Sequence, residues 1–394
     1  MTTPSIEFLP VANGDMTLIT TKNNKKILID CNYREPSEDV VDVKEMLRSR
    51  LETNEHGQRY LDVFVITHPD QDHTRGFKEL FHTGDPSTWS EEKDKIIINE
   101  IWSSPRVFRR ASRKVQKADK NNTLCEDAKA INAEAKRRAN LYKKTKKSGQ
   151  LGDRIVILTH DEDGKTKGYE DIVAALDSSF IADKSGIDDN SLTARLLGPA
   201  DRDEVTDEDT LEKNDSSVII NFGLTDESGN VVNFLNGGDA GVGCWRHLNK
   251  RLKKNKNTDY LKYDILQAPH HCSWRTLSED SESDCAEKGI EPKVDQDAYD
   301  SLSNANEGAL IISSSKPFGD NTPPSKKARE KYKEVLKDKD GTFYCVADSK
   351  NDGKQTSLVV ELKDGKALKR KAAVNFANTQ NPAAVQKKAQ PAYA

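Results

Sequence analysis

Two histidines and two aspartates, His68, Asp70, Asp72 and His73, fall within six residues, directly after the apolar run Leu61-Asp-Val-Phe-Val-Ile66. A run of that composition reads as a buried strand, so the four polar side chains share one tight turn at a strand end. Imidazoles and carboxylates held so closely converge on a small volume, and divalent ions such as zinc favour that donor mixture. One turn cannot supply a whole site. The remaining ligands must come from later strand ends, which asks for a layered fold whose loops gather at one edge.

Two later segments answer that demand. Asp239 sits in Phe234-Leu-Asn-Gly-Gly-Asp239-Ala-Gly241, a strand followed by glycines that let the backbone pass close to an ion. His270 and His271 follow the strand Asp264-Ile-Leu-Gln267 in Ala268-Pro-His-His-Cys-Ser273. Any one cluster alone is weak, since Asp72-His73 could simply cap a helix. Three of them, each closing a hydrophobic strand, form a repeated architectural signal. His56, His82, His160 and His247 have no such company and read as ordinary histidines.

The rest of the chain reads as α/β. Further strands are expected at Ser5–Leu9, Met16–Ile19, Lys25–Asp30, Lys95–Trp102, Gly152–Leu158, Leu192–Leu197, Ser216–Phe222, Val231–Leu235, Gly308–Ser313, Thr342–Val346 and Ser357–Leu362. A helix is expected over Ser37–Glu52 and another through Gly76–Phe81. Between Pro105 and Ser148 there are fifteen Lys and Arg against four Asp and Glu. This stretch reads as two basic helices inserted at about 103–150, broken at Asn121-Asn122. It is either a solvated hairpin or a track for a phosphate backbone, with Arg106 and Arg109 as candidate contacts. Aromatic interleaving there is thin, so base stacking is not supported. One domain spans about 1–365, and the Ala-, Lys- and Gln-rich residues 366–394 read as a disordered tail.

Composition closes off several classes. Charged residues make up 32% and hydrophobic ones 35%, and no stretch reaches the length of a membrane-spanning helix. The first residues carry no signal-peptide pattern. The expectation is a cytoplasmic protein that does not engage a membrane. Its six cysteines form no CxxC pair and read as reduced thiols.

At this point a resemblance becomes visible. Thr67-His-Pro-Asp-Gln-Asp-His73-Thr-Arg-Gly76 resembles the HxHxDH signature of the metallo-β-lactamase superfamily, and most of all the hydrolase domain of ComEC-type competence proteins. Asn13-Gly-Asp15 with Leu28-Ile-Asp30, Asn214-Asp-Ser-Ser-Val218, Gly238-Asp239, Pro269-His-His-Cys-Ser273, and Ile312-Ser313 with Asp320-Asn321 resemble that branch's other elements in order, over most of residues 5–362. The resemblance implies a four-layer αββα sandwich. It implies one ion held mainly by His68 and Asp70, and a second held by Asp72, His73 and one of the two adjacent histidines, taken as His270, with Asp239 bridging. It further implies one or two ions per chain, Zn2+ or Mn2+, activating a hydroxide that Asp72 helps orient. Lys316 and Asn321 would lie near the substrate.

Three departures matter. Asp70 replaces the signature's second histidine, which makes the site more oxygen-rich and shifts preference toward manganese. The histidine expected shortly before Gly238-Asp239 is missing, with Asn214, Ser216 or Ser217 in that region. Cys272 replaces a glycine, either as a plain substitution or as a soft ligand. The function expected is a phosphodiesterase or nuclease acting on nucleic acid or a nucleotide. The alternatives are a hydrolase of small esters, thioesters or lactones, and a non-catalytic binding or signalling component of a bacterial defence or DNA-uptake system. The fold hosts several chemistries and does not choose among them.

Overall fold

Apolar runs punctuated by Gly, Asn and Asp become strands nearly everywhere. The computed structural model describes residues 2–108, 124–147, 149–159, 161, 164–199 and 214–370. The first strands are β1 (Ser5–Phe8), β2 (Thr17–Thr20), β3 (Lys26–Ile29), β4 (Tyr60–Val65), β5 (Ile97–Ser103), β6 (Arg154–Leu158) and β7 (Val173–Ala174). A second series follows: β8 (Leu192–Gly198), β9 (Ile219–Thr225), β10 (Val231–Asn236), β11 (Tyr263–Gln267), β12 (Ala305–Ser313) and β13 (Thr342–Cys345). After a small hairpin of β14 (Lys350–Asn351) and β15 (Lys354–Gln355), the chain returns to the first sheet as β16 (Leu358–Lys363) and β17 (Lys366–Lys369). The outcome is a nine-stranded mixed sheet, β17-β16-β1-β2-β3-β4-β5-β6-β7, and a six-stranded mixed sheet, β13-β12-β11-β10-β9-β8. The protein is thus mixed α/β.

The inner faces of the two sheets share one core. Phe8 meets Phe234 edge-on at 6.0 Å between ring centroids, and Trp102 stacks on Phe222 at 6.4 Å. Strand alternation sorts the rest. Ile265, Leu310 and Ile312 join that shared core, while their neighbours Leu266, Ala309 and Ile311 belong to a second cluster on the opposite face.

Seven helices and one left-handed turn carry the argument below: α1 (Val43–Arg48), α2 (Gln71–Thr74), α3 (Phe77–Leu80), α4 (Glu126–Thr145), α5 (Val242–Asn255), the turn α6 (Pro269–Cys272), α7 (Gln296–Leu302) and α8 (Lys326–Lys337). Phe64 turns outward from β4 onto Phe77 and Phe81, at 5.2 and 5.5 Å. On the other sheet the second cluster is closed by Trp245, Leu248 and Leu252 of α5, Ala298 and Leu302 of α7, and Tyr332 and Leu336 of α8. Among the described residues, no helix is long and apolar enough to cross a membrane.

Several expectations need correction. The helix expected over Ser37–Glu52 shrinks to α1, because Asp42 caps its start by accepting from the Glu45 amide, and β-branched Val40 and Val41 lie in the extended chain before it. The helix expected after His73 is two short ones, broken where Gly76 takes φ 82°. Of the basic stretch, Glu126–Thr145 is a crossover helix between the parallel strands β5 and β6. Its Arg138 is buried; Nη2 donates to Ile98 O and Nη1 to Arg154 O, both at 3.0 Å, and Nε donates to Glu134 at 2.8 Å. A fully hydrogen-bonded buried guanidinium explains why a basic helix can belong to the core. The tail does not begin at 366: Asp364-Gly365, both at positive φ, form a hairpin turn that pairs β17 with β16.

Phe234 is fully buried and packs between Phe8 and Phe222, at 6.0 and 5.9 Å between ring centroids. Phe234→Ala is therefore expected to lower unfolding stability by about 3–5 kcal/mol, read as a shifted denaturant midpoint at unchanged slope. A loss below about 1 kcal/mol would contradict a shared core between the sheets.

Candidate metal centre

The loops that follow β3, β4, β10, β11 and β12 are tied together by their backbones. Asp30 N donates to Val65 O, Cys31 N to His73 O, Asp15 N to Asp72 O, His270 N to Gly238 O, and Ala268 N to Ile312 O. Two glycines make the approach possible. A Cβ on Gly14 (φ +146°) would stand 2.7 Å from Asp72 O, and one on Gly238 (φ +48°) would stand 2.5 Å from Thr67 Oγ1. Both are under the closest distance real Cβ atoms show, so only glycine lets these loops close.

At the centre lies His73, with no solvent exposure. Its Nδ1 is 2.7 Å from Asp30 Oδ2, and its Nε2 stands 2.9 Å from Asp239 Oδ1 without hydrogen-bond geometry. Asp30 also accepts from the Thr67 amide at 2.8 Å and from the Thr67 hydroxyl. His271 is buried too. Its Nε2 lies 3.3 Å from Asp72 Oδ2 and 3.6 Å from Asp239 Oδ1. On its other side Nδ1 is 3.0 Å from Ser314 O and 3.2 Å from the Gly14 amide.

One ligand atom from each of Asp72, His73, Asp239 and His271 fits in a set whose members all lie within 4.8 Å of one another. Asp15, Asp30 and His73 form another such set behind it. The test of whether these residues suit an ion lies in their unsatisfied atoms. His73 Nε2, His271 Nε2, Asp239 Oδ1 and both ring nitrogens of His68 are buried with no hydrogen-bond partner. Buried polar atoms are ordinarily paired, and these converge from different loops. The donor set fits a divalent cation.

The electrostatics agree. Burial opposes charge on every member, but opposite partners override it. Burial would raise the Asp239 carboxyl, yet His73, His271 and His270 hold it well below the usual range. Asp72 follows the same balance and is lowered by the His271 imidazole 3.3 Å away and by His73. Burial would lower His73, yet Asp239 and Asp30 raise it well above an ordinary imidazole. His271 is pushed up to about 10 by Asp239, Asp15 and Asp72, against burial. Burial lifts Asp30 to about 6, with His73 pulling the other way. His68 is lowered by burial, with Asp239 and Asp70 opposing.

The other expected residues fall into place around this set. His68 Nε2 is 3.9 Å from Asp70 Oδ2, and the His68 and His73 rings are 5.1 Å apart. His270, taken from the sequence as the ligand of its pair, is partly exposed and stands 3.8 Å from the other oxygen of Asp239, so the closed set takes His271. Cys272 is buried in the outer cluster with Sγ toward Ser325 O, and neither closed set includes it. Lys316 and Asn321 are exposed on the loop after β12, and the Lys316 amide is fixed by Asn13 Oδ1 at 2.9 Å. Arg106 is fully buried, its Nη1 directed at Pro199 O, and so is not displayed to a passing phosphate backbone. Arg109 lies outside the described residues. The sequence places Asp30 only at the end of a strand, whereas in the structure it holds His73. The signal was available: an acid closing the strand Lys26–Ile29, beside a strand that ends in a histidine turn.

No known protein-family profile matches the chain, and no curated protein matches it. Seven solved chains match in structure. One is a possible metal-dependent hydrolase from Veillonella parvula DSM 2008, aligned over 92% of this chain and 100% of that one, at 13% identity and a TM-score of 0.39. A likeness at that score fixes neither fold nor function.

Two outcomes follow. An imidazole that carries a proton at neutral pH must lose it to bind an ion, so ion binding should release protons and tighten as pH rises, roughly tenfold per unit for each proton displaced. Calorimetry with Zn2+ in buffers of different ionisation enthalpy should show that release; buffer-independent heats at pH 7 would contradict it. Asp30→Asn should weaken the ion held through His73 by roughly 10–100-fold while the fold persists, measured by competition with a chromophoric chelator.

Proposed function

We propose that the chain is a metal-dependent hydrolase built as an αββα metallo-β-lactamase sandwich, and that it cleaves phosphodiesters of nucleic acid or nucleotides. The observation that carries the reading is the convergence of His73 Nε2, His271 Nε2 and Asp239 Oδ1, all buried and without hydrogen-bond partners, beside the partly exposed Asp72. The helix-covered outer faces and the shared inner core of the two sheets support the layering. The ordered sequence resemblance supports the substrate class.

Asp72, His73, Asp239 and His271 would hold the first ion, as Zn2+ or Mn2+. When bound, such an ion acidifies water and offsets charge on a substrate oxygen. The chain's own residues do the rest. Asp30 fixes the His73 ring with its Nε2 turned toward the centre of the set, beside Asp239. Ser314 O, accepting from Nδ1–H, fixes His271 in the same way. Asp72 is the most exposed acid of the closed set, at 34% of its side chain, and is held ionised, so it can accept a proton from attacking water at the mouth. Lys316, exposed on the loop that Asn13 ties down, would meet an incoming phosphate.

The test is a screen of wild type and Asp72→Ala, with Mn2+ and with Zn2+, against single-stranded DNA, duplex DNA, RNA, cyclic dinucleotides and a chromogenic phosphodiester. A small ester, a thioester and a lactone run alongside. Cleavage of at least one phosphodiester is expected, with a loss of roughly 100-fold or more in the variant. Turnover of the carboxylic esters alone would move the assignment to that class. Under half an equivalent of metal after reconstitution would favour a binding component.

A further inference from the structure

Beside α4, the outer face of the first sheet holds a cavity that the metal centre does not use. β5, β6 and β7 run parallel, and α4 crosses back from β5 to β6. Side chains alternate along β6. Val156 and Leu158 enter the core between the sheets, and Ile155 and Ile157 face the helix side. Ala135 and Ala139, one turn apart on α4, meet them with small side chains. Between that wall, Val173 of β7 and the ring of Tyr169 lies an open volume of about 480 Å3, within the size range of small-molecule sites. Ile157, Ala139, Tyr169 and Val173 are only half-buried, so the apolar walls face solvent.

A few polar groups interrupt this lining. Ser103 closes β5, and Asn132 and Lys136 stand four residues apart on the flank of α4 that carries Ala135 and Ala139. Among the described residues, the side chains of Asn132 and Lys136 have neither a hydrogen-bond nor an ion-pair partner, and Lys136 is exposed at the mouth. No acid is among the described residues that line the cavity. The stretch 109–123 is poorly suited to fill it. Val115 is its one large apolar side chain, and Arg109, Arg110, Arg113, Lys114, Lys117 and Lys120 stand against Asp119 alone. A sequence of that composition offers little apolar area to bury, and its charge has the same sign as Lys136.

We propose that this cavity is a ligand site separate from the metal centre, and that it takes a small carboxylate with an apolar body. The body lies against Ile155, Ile157, Val173 and Ala139. The carboxylate accepts from the Lys136 ammonium and the Asn132 amide, a charge-assisted pair at one helix flank. A neutral ligand of the same shape leaves Lys136 unmatched, and a cationic one is repelled by it. Burial of each further methylene adds to affinity until the volume is filled. None of the residues gathered around His73 lines the cavity, so the site needs no ion in the cage.

The experiment is calorimetry on the full chain after dialysis against a chelator. Hexanoate, octanoate and decanoate are the probes, with decanol and decylammonium as neutral and cationic controls. One equivalent of decanoate should bind saturably, with affinity rising roughly fourfold per methylene along the series. Decanol should bind roughly tenfold more weakly and decylammonium more weakly still. Lys136→Glu, at an exposed position, should weaken decanoate by roughly tenfold or more and leave decanol unchanged. Ala139→Trp should fill the cavity and abolish binding of both, and Val173→Trp should repeat the block from the opposite wall. Thermal unfolding confirms that each variant folds. Decanoate heats that never saturate would overturn the proposal. So would decylammonium bound as tightly as decanoate, or wild-type decanoate affinity in Lys136→Glu. Because the chelator leaves the cage without ions throughout, the metal-binding reading is judged separately, by the Zn2+ titration.

Discussion

His73 has no contact with solvent, and a buried carboxylate stands on each side of its ring. Taking such charges out of water costs several kcal/mol per ion, and a pair is tolerated only with good geometry and with the remaining polar atoms satisfied. Asp30 meets that condition through the Thr67 amide, the Thr67 hydroxyl and His73 Nδ1. Asp239 does not, because its Oδ1 faces imidazole nitrogens that make no hydrogen bond to it. Half of the arrangement is complete as protein, and the other half is a donor set that a cation would complete. That asymmetry fixes which way His73 points and assigns the missing charge to the Asp239 side.

Holding this arrangement asks for rigid supports, since a displacement of an ångström separates a ligand set from a cluster of side chains. The strands supply them. Each donor leaves from the end of a strand whose interior is buried on both faces, and backbone bonds join one loop to the next. The chain also accepts strain. His270, His271 and Cys272 all take left-handed φ, at 50°, 53° and 62°. That conformation costs roughly 1–2 kcal/mol for a residue with a Cβ, and three in succession persist only where the surroundings enforce them. The turn sends His271 inward and leaves His270 at the rim, and a helical or extended path would not present adjacent side chains to opposite oxygens of one carboxylate.

Much of this was legible in the sequence. The strands were visible because short apolar runs ended at turn residues, and the three ligand-bearing turns were visible because each closed such a run. What escaped reading depended on contacts between distant segments. Nothing local tells His270 from His271, since that choice is set by Gly238 O, Ser314 O and Gly14 arriving from three other loops. The role of Asp30 depends on β3 lying parallel to β4, which puts its carboxylate beside Thr67. Arg106 and Arg138 looked like surface charge because basic composition hides burial; hydrogen bonds to backbone carbonyls hold both inside. The hairpin at Asp364-Gly365 was readable and went unread because the lysines around it resemble a tail.

The burial of Arg106 bears on how an anionic substrate would be held. Asp15, Asp30, Asp72 and Asp239 crowd the centre against His73 and His271, so even with both imidazoles protonated a formal surplus of negative charge remains. A phosphodiester approaching the cage without its cation meets repulsion, screened only beyond about 8–10 Å at ordinary salt. Lys316 at the rim is one exposed positive charge and cannot reverse that field. On the proposed reading an ion held in the cage would offset that charge, so ion and substrate affinity would be linked, each strengthening the other.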